Sequence, residues 1–101
     1  DWAQMIDVLN HSALSSPLFS YKAPLLEARD YATPQSTVDV AAKDIDLALA
    51  AAKGLNIPLP LSAVTRELFR SMQARGEGGQ DFIGIVKVFE ALAGLDPTRP
   101  G

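Results

Sequence analysis

At 101 residues, 48% of them hydrophobic, the chain has material for one modest core and is short for an enzyme that binds two substrates. Its net charge of −3, with basic residues scattered among acids, offers no positive field to a phosphate backbone and argues against nucleic acid as a partner. The absence of cysteine excludes disulfides, thiolate metal sites and cysteine nucleophiles, and no apolar run reaches the roughly 18 residues that span a bilayer, so a soluble, cytoplasmic chain with no membrane partner is expected.

Trp2, Met5, Ile6 and Leu9 share one face of a 3.6-residue repeat, which predicts a helix from Asp1 to about Asn10. No basic segment followed by an apolar one opens the chain, so no signal peptide is read; a start at Asp1, already inside a helical pattern, suggests a piece of something longer. His11 stands among small residues with no second ligand at metal-like spacing, and reads as a surface or loop histidine. Ser15-Ser16-Pro17 starts the next helix, with serine as N-cap and proline in the first turn, where its missing amide costs nothing. Leu18, Lys22, Leu25 and Leu26 continue the period, but Pro24 predicts a break followed by another turn through Arg29. Residues 30–35 are a connection.

The run from Ser36 to Gly54 is the clearest helix. Val38, Ala41, Ala42, Ile45, Ala48, Leu49 and Ala52 form an apolar stripe whose alanines admit a close neighbour. Ser36 with Asp39 resembles a capping box, and Gly54 after Lys53 reads as the left-handed residue that ends the helix. Lys43 and Asp44 lie side by side in its middle, about 100° apart, where they cannot form an i, i+4 pair. By chemistry alone they are a solvated face.

Residues 55–60, with prolines at Pro58 and Pro60, form a stiff extended link. A helix opens at Pro60 or Ser62, lined by Leu61, Val64, Leu68 and Met72 with Phe69 beside them, and ends at Gly76; Arg66, Glu67, Arg70 and Arg75 read as its wet face. Gly76-Glu77-Gly78-Gly79 is glycine-rich, but with no preceding strand, Walker lysine or G-x-G-x-x-G spacing it reads as a helix connector and not a phosphate loop. Asp81 caps a last helix with the stripe Phe82, Ile85, Val86, Phe89 and Leu92; Gly94 stops it, and residues 96–101 read as a frayed tail. No strand pattern or internal repeat is present, so the expected fold is all-α, a bundle of about five helices. The 12 carboxylates are dispersed, with no H-E-x-x-H and no serine–histidine pairing, which leaves hydrolase and metal chemistry without support. On these residues function is open.

A resemblance narrows it. K-D-I-D-L-A-L-A-A-A-K at 43–53 followed by I-P-L-P-L, the G-E-G-G-Q-D-F loop at 76–82, and H-S-A-L-S-S-P-L-F at 11–19 together resemble the C-terminal helical domain of the β-hydroxyacid dehydrogenases, the 3-hydroxyisobutyrate dehydrogenase-like family. The S-T-V-D words at 36–39 look closest to its L-threonate dehydrogenase branch. The resemblance implies a 6-phosphogluconate dehydrogenase C-terminal-domain-like fold over residues 1–95, incomplete because the family's long interdomain helix is not in this chain. It further implies NAD or NADP on a separate N-terminal Rossmann domain, hydride transfer to or from a small hydroxy acid, and a general acid/base lysine on the interdomain helix, so that no catalytic residue and no metal ligand is expected here. Lys43 matches the family's cofactor-contacting lysine and Asp44 its supporting neighbour. The implied role is closing the cofactor cleft and assembling a homo-oligomer, at least a dimer, with the piece inactive alone. The alternative is a standalone helical dimerisation or protein-interaction module, its apolar surface bared on Ile45, Leu49 and the Val64/Leu68 stripe.

Overall fold

The structure, a computed structural model, describes residues 1–13 and 16–95; Leu14, Ser15 and the expected tail at 96–101 lie outside the described residues. In chain order it forms α1 (Trp2–Asn10), α2 (Pro17–Ala28), α3 (Val38–Gly54), α4 (Pro60–Ala74), and a 3-10 turn (Phe82–Ile85) that runs into α5 (Val86–Leu92). The fold is all-α, as expected; an isolated antiparallel bridge joins Thr37 to Asp81. No helix among the described residues is long and apolar enough to cross a membrane.

The first hairpin is α1 against α2. The Asp1 carboxylate accepts the Gln4 amide at 2.9 Å while the Gln4 side chain reaches back to Asp1, which satisfies α1's first donors. Ile6 is buried, and the Trp2 indole donates to the Leu26 carbonyl at 2.6 Å beneath the Arg29 guanidinium, 4.0 Å from the ring centre. Ser16 caps α2 by accepting the Phe19 amide at 3.0 Å.

Contrary to expectation, α2 is unbroken at Pro24. Pro24 is exposed, so the carbonyl it deprives can be hydrated, while Lys22, Ala23 and Leu26 are buried and hold the helix from the other side. Packing outweighs one missing bond. The helix ends at Arg29, in the left-handed region at φ 51.

Both ends of α3 also depart from the sequence reading. Ser36 is not the cap: its carbonyl accepts the Phe82 amide at 3.0 Å and its own amide donates to Asp81 at 3.3 Å, so Thr37 takes the role and accepts the Val40 amide at 3.2 Å. Gly54 remains helical, and Asn56 (φ 56) is the left-handed residue, a conformation asparagine tolerates. The alanine stripe behaves as expected: Ala42 is buried with Val38 against Phe69 and Met72 of α4, with Val88 of α5 completing the cluster.

Arg66 is not on a wet face. It is 8% exposed, in the seam between α3 and α4, whereas Leu61 and Val64 point outward. Of the residues expected to be bare, Val64 is exposed, whereas Ile45 and Leu68 pack on the core and Leu49 is half-buried; Leu47 and Leu61 are among the other exposed apolar side chains.

Gly76 (φ 76) ends the fourth helix's overhang and Gly94 (φ 70) succeeds α5, as the sequence suggests. Asp81 caps the last helical segment through the Ile83 amide at 2.9 Å. Its first turn is 3-10, with three residues per turn, and that shifts the phase of α5: Val88 and Glu90 are buried while Phe89 and Leu92 face out. The 3-10 turn sits where two buried clusters meet, that of Val38, Ala42, Phe69, Met72 and Val88 and a second of Ile6, Ala23, Leu26 and Tyr31. A Cβ at Gly84 would lie 3.2 Å from Met72 of one and 3.4 Å from Tyr31 of the other.

Candidate functional site

The middle of α3 carries the two candidate residues, Lys43 and Asp44. Asp39, Lys43 and Asp46, at i, i+4 and i+7, share the stripe opposite to and flanking the buried one, and Lys43 and Asp44 are both exposed. Neither of those two side chains pairs with any of the described residues.

Their neighbours, by contrast, are committed. The Asp46 carboxylate accepts Arg66 Nε at 2.7 Å, Arg66 Nη1 donates to Gln73 Oε1 at 3.1 Å, and Gln73 Nε2 donates to Asp39 Oδ1 at 2.8 Å. This polar ladder runs along the α3–α4 seam. The hydrogen bond from Arg66 holds Asp46 below the ordinary aspartate range, slight burial opposing and the charges of Arg66 and Arg70 assisting, and the same bond raises Arg66. At its far end Asp39 meets the 76–81 loop: its amide donates to the Gly78 carbonyl at 3.0 Å, and a Cβ on Gly78 would stand 2.4 Å from its carboxylate oxygen.

A second charged constellation is sealed inside. Lys22 and Asp81 are 2% and 0% exposed and pair at 2.7 Å. The same Asp81 oxygen accepts the Gln35 amide at 2.9 Å, and Lys22 Nζ lies 4.4 Å from the Phe82 ring centre. Burial alone would raise the Asp81 pKa; the Lys22 bond and the amides of Ile83, Gln35 and Ser36 outweigh it and bring it below the ordinary value. Sealed from solvent, with Asp81 accepting from Lys22 and three backbone amides, this pair ties segments together and has no open face for a ligand. Sequence reasoning saw Lys22 only as a member of a helical period, because nothing local marks a lysine whose partner lies 59 residues away.

Elsewhere, Arg29 pairs with Glu90 at 2.6 Å beside Tyr31, whose pKa is raised by burial and by Glu90, with Arg29 opposing. Lys87 bonds Glu77 and Gln80, which pins the glycine-rich loop to α5. His11 is exposed at the end of α1, its Nδ1–H donating to the Asp7 carbonyl at 2.9 Å, a loop histidine as read from the sequence. No group of three or more His, Asp or Glu able to hold a metal occurs among the described residues.

The architecture defines a helical domain whose longest helix carries, side by side at Lys43 and Asp44, an exposed ammonium and carboxylate without partners among the described residues. Residues 1–89 match the family described as NAD-binding of NADP-dependent 3-hydroxyisobutyrate dehydrogenase, and the chain belongs to that family. It is similar to L-threonate dehydrogenase of Cupriavidus necator, 36% identical over 88 residues, covering 87% of this chain and 29% of that protein. L-Threonate dehydrogenase of Escherichia coli K12 is 34% identical over 97 residues, covering 96% and 30%. A crystal structure of 3-hydroxyisobutyrate dehydrogenase from Salmonella typhimurium superposes with a TM-score of 0.78 at 36% identity, covering 85% of this chain and 30% of that one. The chain thus spans less than a third of the length of these relatives.

Proposed function

We propose that residues 1–95 act as the C-terminal helical domain of an NAD(P)-dependent β-hydroxyacid dehydrogenase, closing the cofactor cleft against a dinucleotide-binding domain and contributing to a homo-oligomer. The observation that supports this reading is Lys43: an exposed ammonium with no partner among the described residues, on a helix that lies within the family match over residues 1–89 and whose K-D pair resembles the family's. Such a group suits an anionic dinucleotide, since a lysine makes charge-assisted hydrogen bonds to phosphate or carboxamide oxygens. NAD or NADP, when bound, supplies the hydride donor or acceptor for a small hydroxy acid. Lys43 holds and orients the dinucleotide; Asp44, one residue on, takes the supporting role in orienting that lysine or closing the cleft. Neither moves a substrate proton, so the segment alone, given hydroxy acid and cofactor, gives no rise in reduced-nicotinamide absorbance.

The test is equilibrium binding of NADH and NADPH to the full-length protein. Lys43→Met should weaken binding about tenfold, equivalent to about 1.4 kcal/mol, and Asp44→Asn by less. Affinity unchanged in Lys43→Met would overturn the reading. A second reading, a standalone helical dimerisation or interaction module, is favoured by the outward Leu47, Leu61 and Val64. The coding sequence before Asp1 separates the two: a dinucleotide-binding fingerprint and a helical lysine there support the dehydrogenase, a start codon immediately before it supports the module.

A further inference from the structure

Lys43 lies four residues after Asp39 and three before Asp46, the two spacings at which a carboxylate on the same helix ordinarily captures a lysine. The Asp39 spacing, with the acid N-terminal to the base, is the favoured orientation. Yet Lys43 pairs with neither. Asp46 is drawn sideways to Arg66 at 2.7 Å and Asp39 to Gln73 at 2.8 Å, and Arg66 and Gln73 are themselves joined at 3.1 Å. Arg66 is 8% exposed, so its guanidinium is a fixed element of the seam, and the bond it gives Asp46 holds that carboxyl below the ordinary aspartate value. An exposed arginine, such as Arg70 paired with Glu67, has no comparable hold.

We infer that Arg66 and Gln73 are positioning residues for cofactor binding, which divert the two carboxylates flanking Lys43 and so keep its ammonium available to an anionic ligand. The inference rests on the reading of Lys43 as a cofactor contact and adds what makes that contact possible. Without the diversion, Asp39 and Asp46 compete with the dinucleotide for the same charge, and each intrahelical pair formed subtracts from ligand affinity.

The experiment measures NADH and NADPH affinity by fluorescence titration of the full-length protein at low ionic strength, with helicity monitored by circular dichroism. Arg66→Met releases Asp46 toward Lys43 and should weaken binding about twofold, the worth of one such helical pair. Adding Asp46→Asn removes the competitor and should restore it, a rescue that loss of a merely structural arginine would not show. Arg70→Met, the same loss of charge one turn further on, should leave affinity unchanged, and in a Lys43→Met background Arg66→Met should have no effect. Absence of weakening, absence of rescue, or an equal effect from Arg70→Met overturns the inference while leaving Lys43 as a contact. If Lys43→Met itself binds normally, the underlying reading fails and the inference with it. Should Arg66→Met fail to fold, Gln73→Met, alone and with Asp39→Asn, reads the same competition at the other carboxylate.

Discussion

Asp81 ties three segments of the structure together. Its carboxylate gathers Lys22 from α2, the amides of Gln35 and Ser36 from the connection, and the Ile83 amide from the 3-10 turn, and its own amide donates to the Tyr31 carbonyl at 2.8 Å. Asp81→Asn keeps the shape but leaves the Lys22 ammonium uncompensated where water does not reach, so it should destabilise the fold by about 3 to 5 kcal/mol in urea unfolding. The pH dependence has a definite sign. The folded pKa lies below the unfolded one, so folding binds fewer protons, and the contribution is complete above the ordinary aspartate value of about 3.9 and is lost as pH falls through and below it. Thermal melts from neutral pH to about pH 2 should show this acid-side slope in the native protein and lose part of it in Asp81→Asn. Half of the residue's role was legible: a helix N-cap can be read from an acid before an apolar run, as at Asp81-Phe82. The ion pair was not, because burial of Lys22 is decided by chain segments far from it in sequence.

At the scale of the elements, the sequence was informative wherever a helix's own periodicity governs it and silent where a neighbour does. The existence of α1 through α5 is set by apolar spacing. Their ends and phases are not: Ser36 lost the cap of α3 to Thr37 because the Phe82 amide claimed it, and α5 turned its Phe89 outward because a 3-10 turn preceded it. Lys43 and Asp44 could be picked out only by resemblance, since an exposed, unpaired charge has no local signature; Arg66 and Gln73 could not, since their value lies across the seam. Pro24 gives a direct test of packing against propensity. It is exposed inside an intact α2, so Pro24→Ala should restore a backbone bond at no packing cost, stabilise by about 1 to 2 kcal/mol and raise Tm by several degrees. Gly78→Ala should act in the opposite direction. Its Cβ would force the Asp39 carboxylate off Gln73, costing about 1 to 2 kcal/mol, and most of that should vanish in the Gly78→Ala/Asp39→Ala pair, read by denaturant titration.

The molecule as a whole is elongated, 46 × 32 × 25 Å, because it is two helical hairpins and not one bundle closed on itself. The α1–α2 hairpin keeps its own cluster around Ile6, Ala23 and Leu26; the α3–α4 hairpin keeps Val38, Ala42, Phe69 and Met72. What joins them is the short stretch from Asp81 to Glu90: the ion pair to Lys22, the contacts of Ile83 and Val86 with one cluster and of Phe82, Ile85 and Val88 with the other, and the Arg29–Glu90 bridge. Cooperativity between the hairpins therefore passes through that joint. Trp2 is the single tryptophan and sits in the first hairpin, while α3 and α4 hold 17 and 15 helical residues against 9 and 12 in α1 and α2, so indole fluorescence reports on the first hairpin and far-ultraviolet circular dichroism is weighted toward the second. In the native chain the two signals should change together across a urea titration, as a two-state transition requires. In Asp81→Asn the joint is weakened without touching either hydrophobic cluster, and the fluorescence midpoint should move to lower urea ahead of the circular dichroism. Coincident midpoints in that variant would show that the apolar contacts of the 3-10 turn alone couple the halves, with the buried charges contributing to stability but not to its transmission.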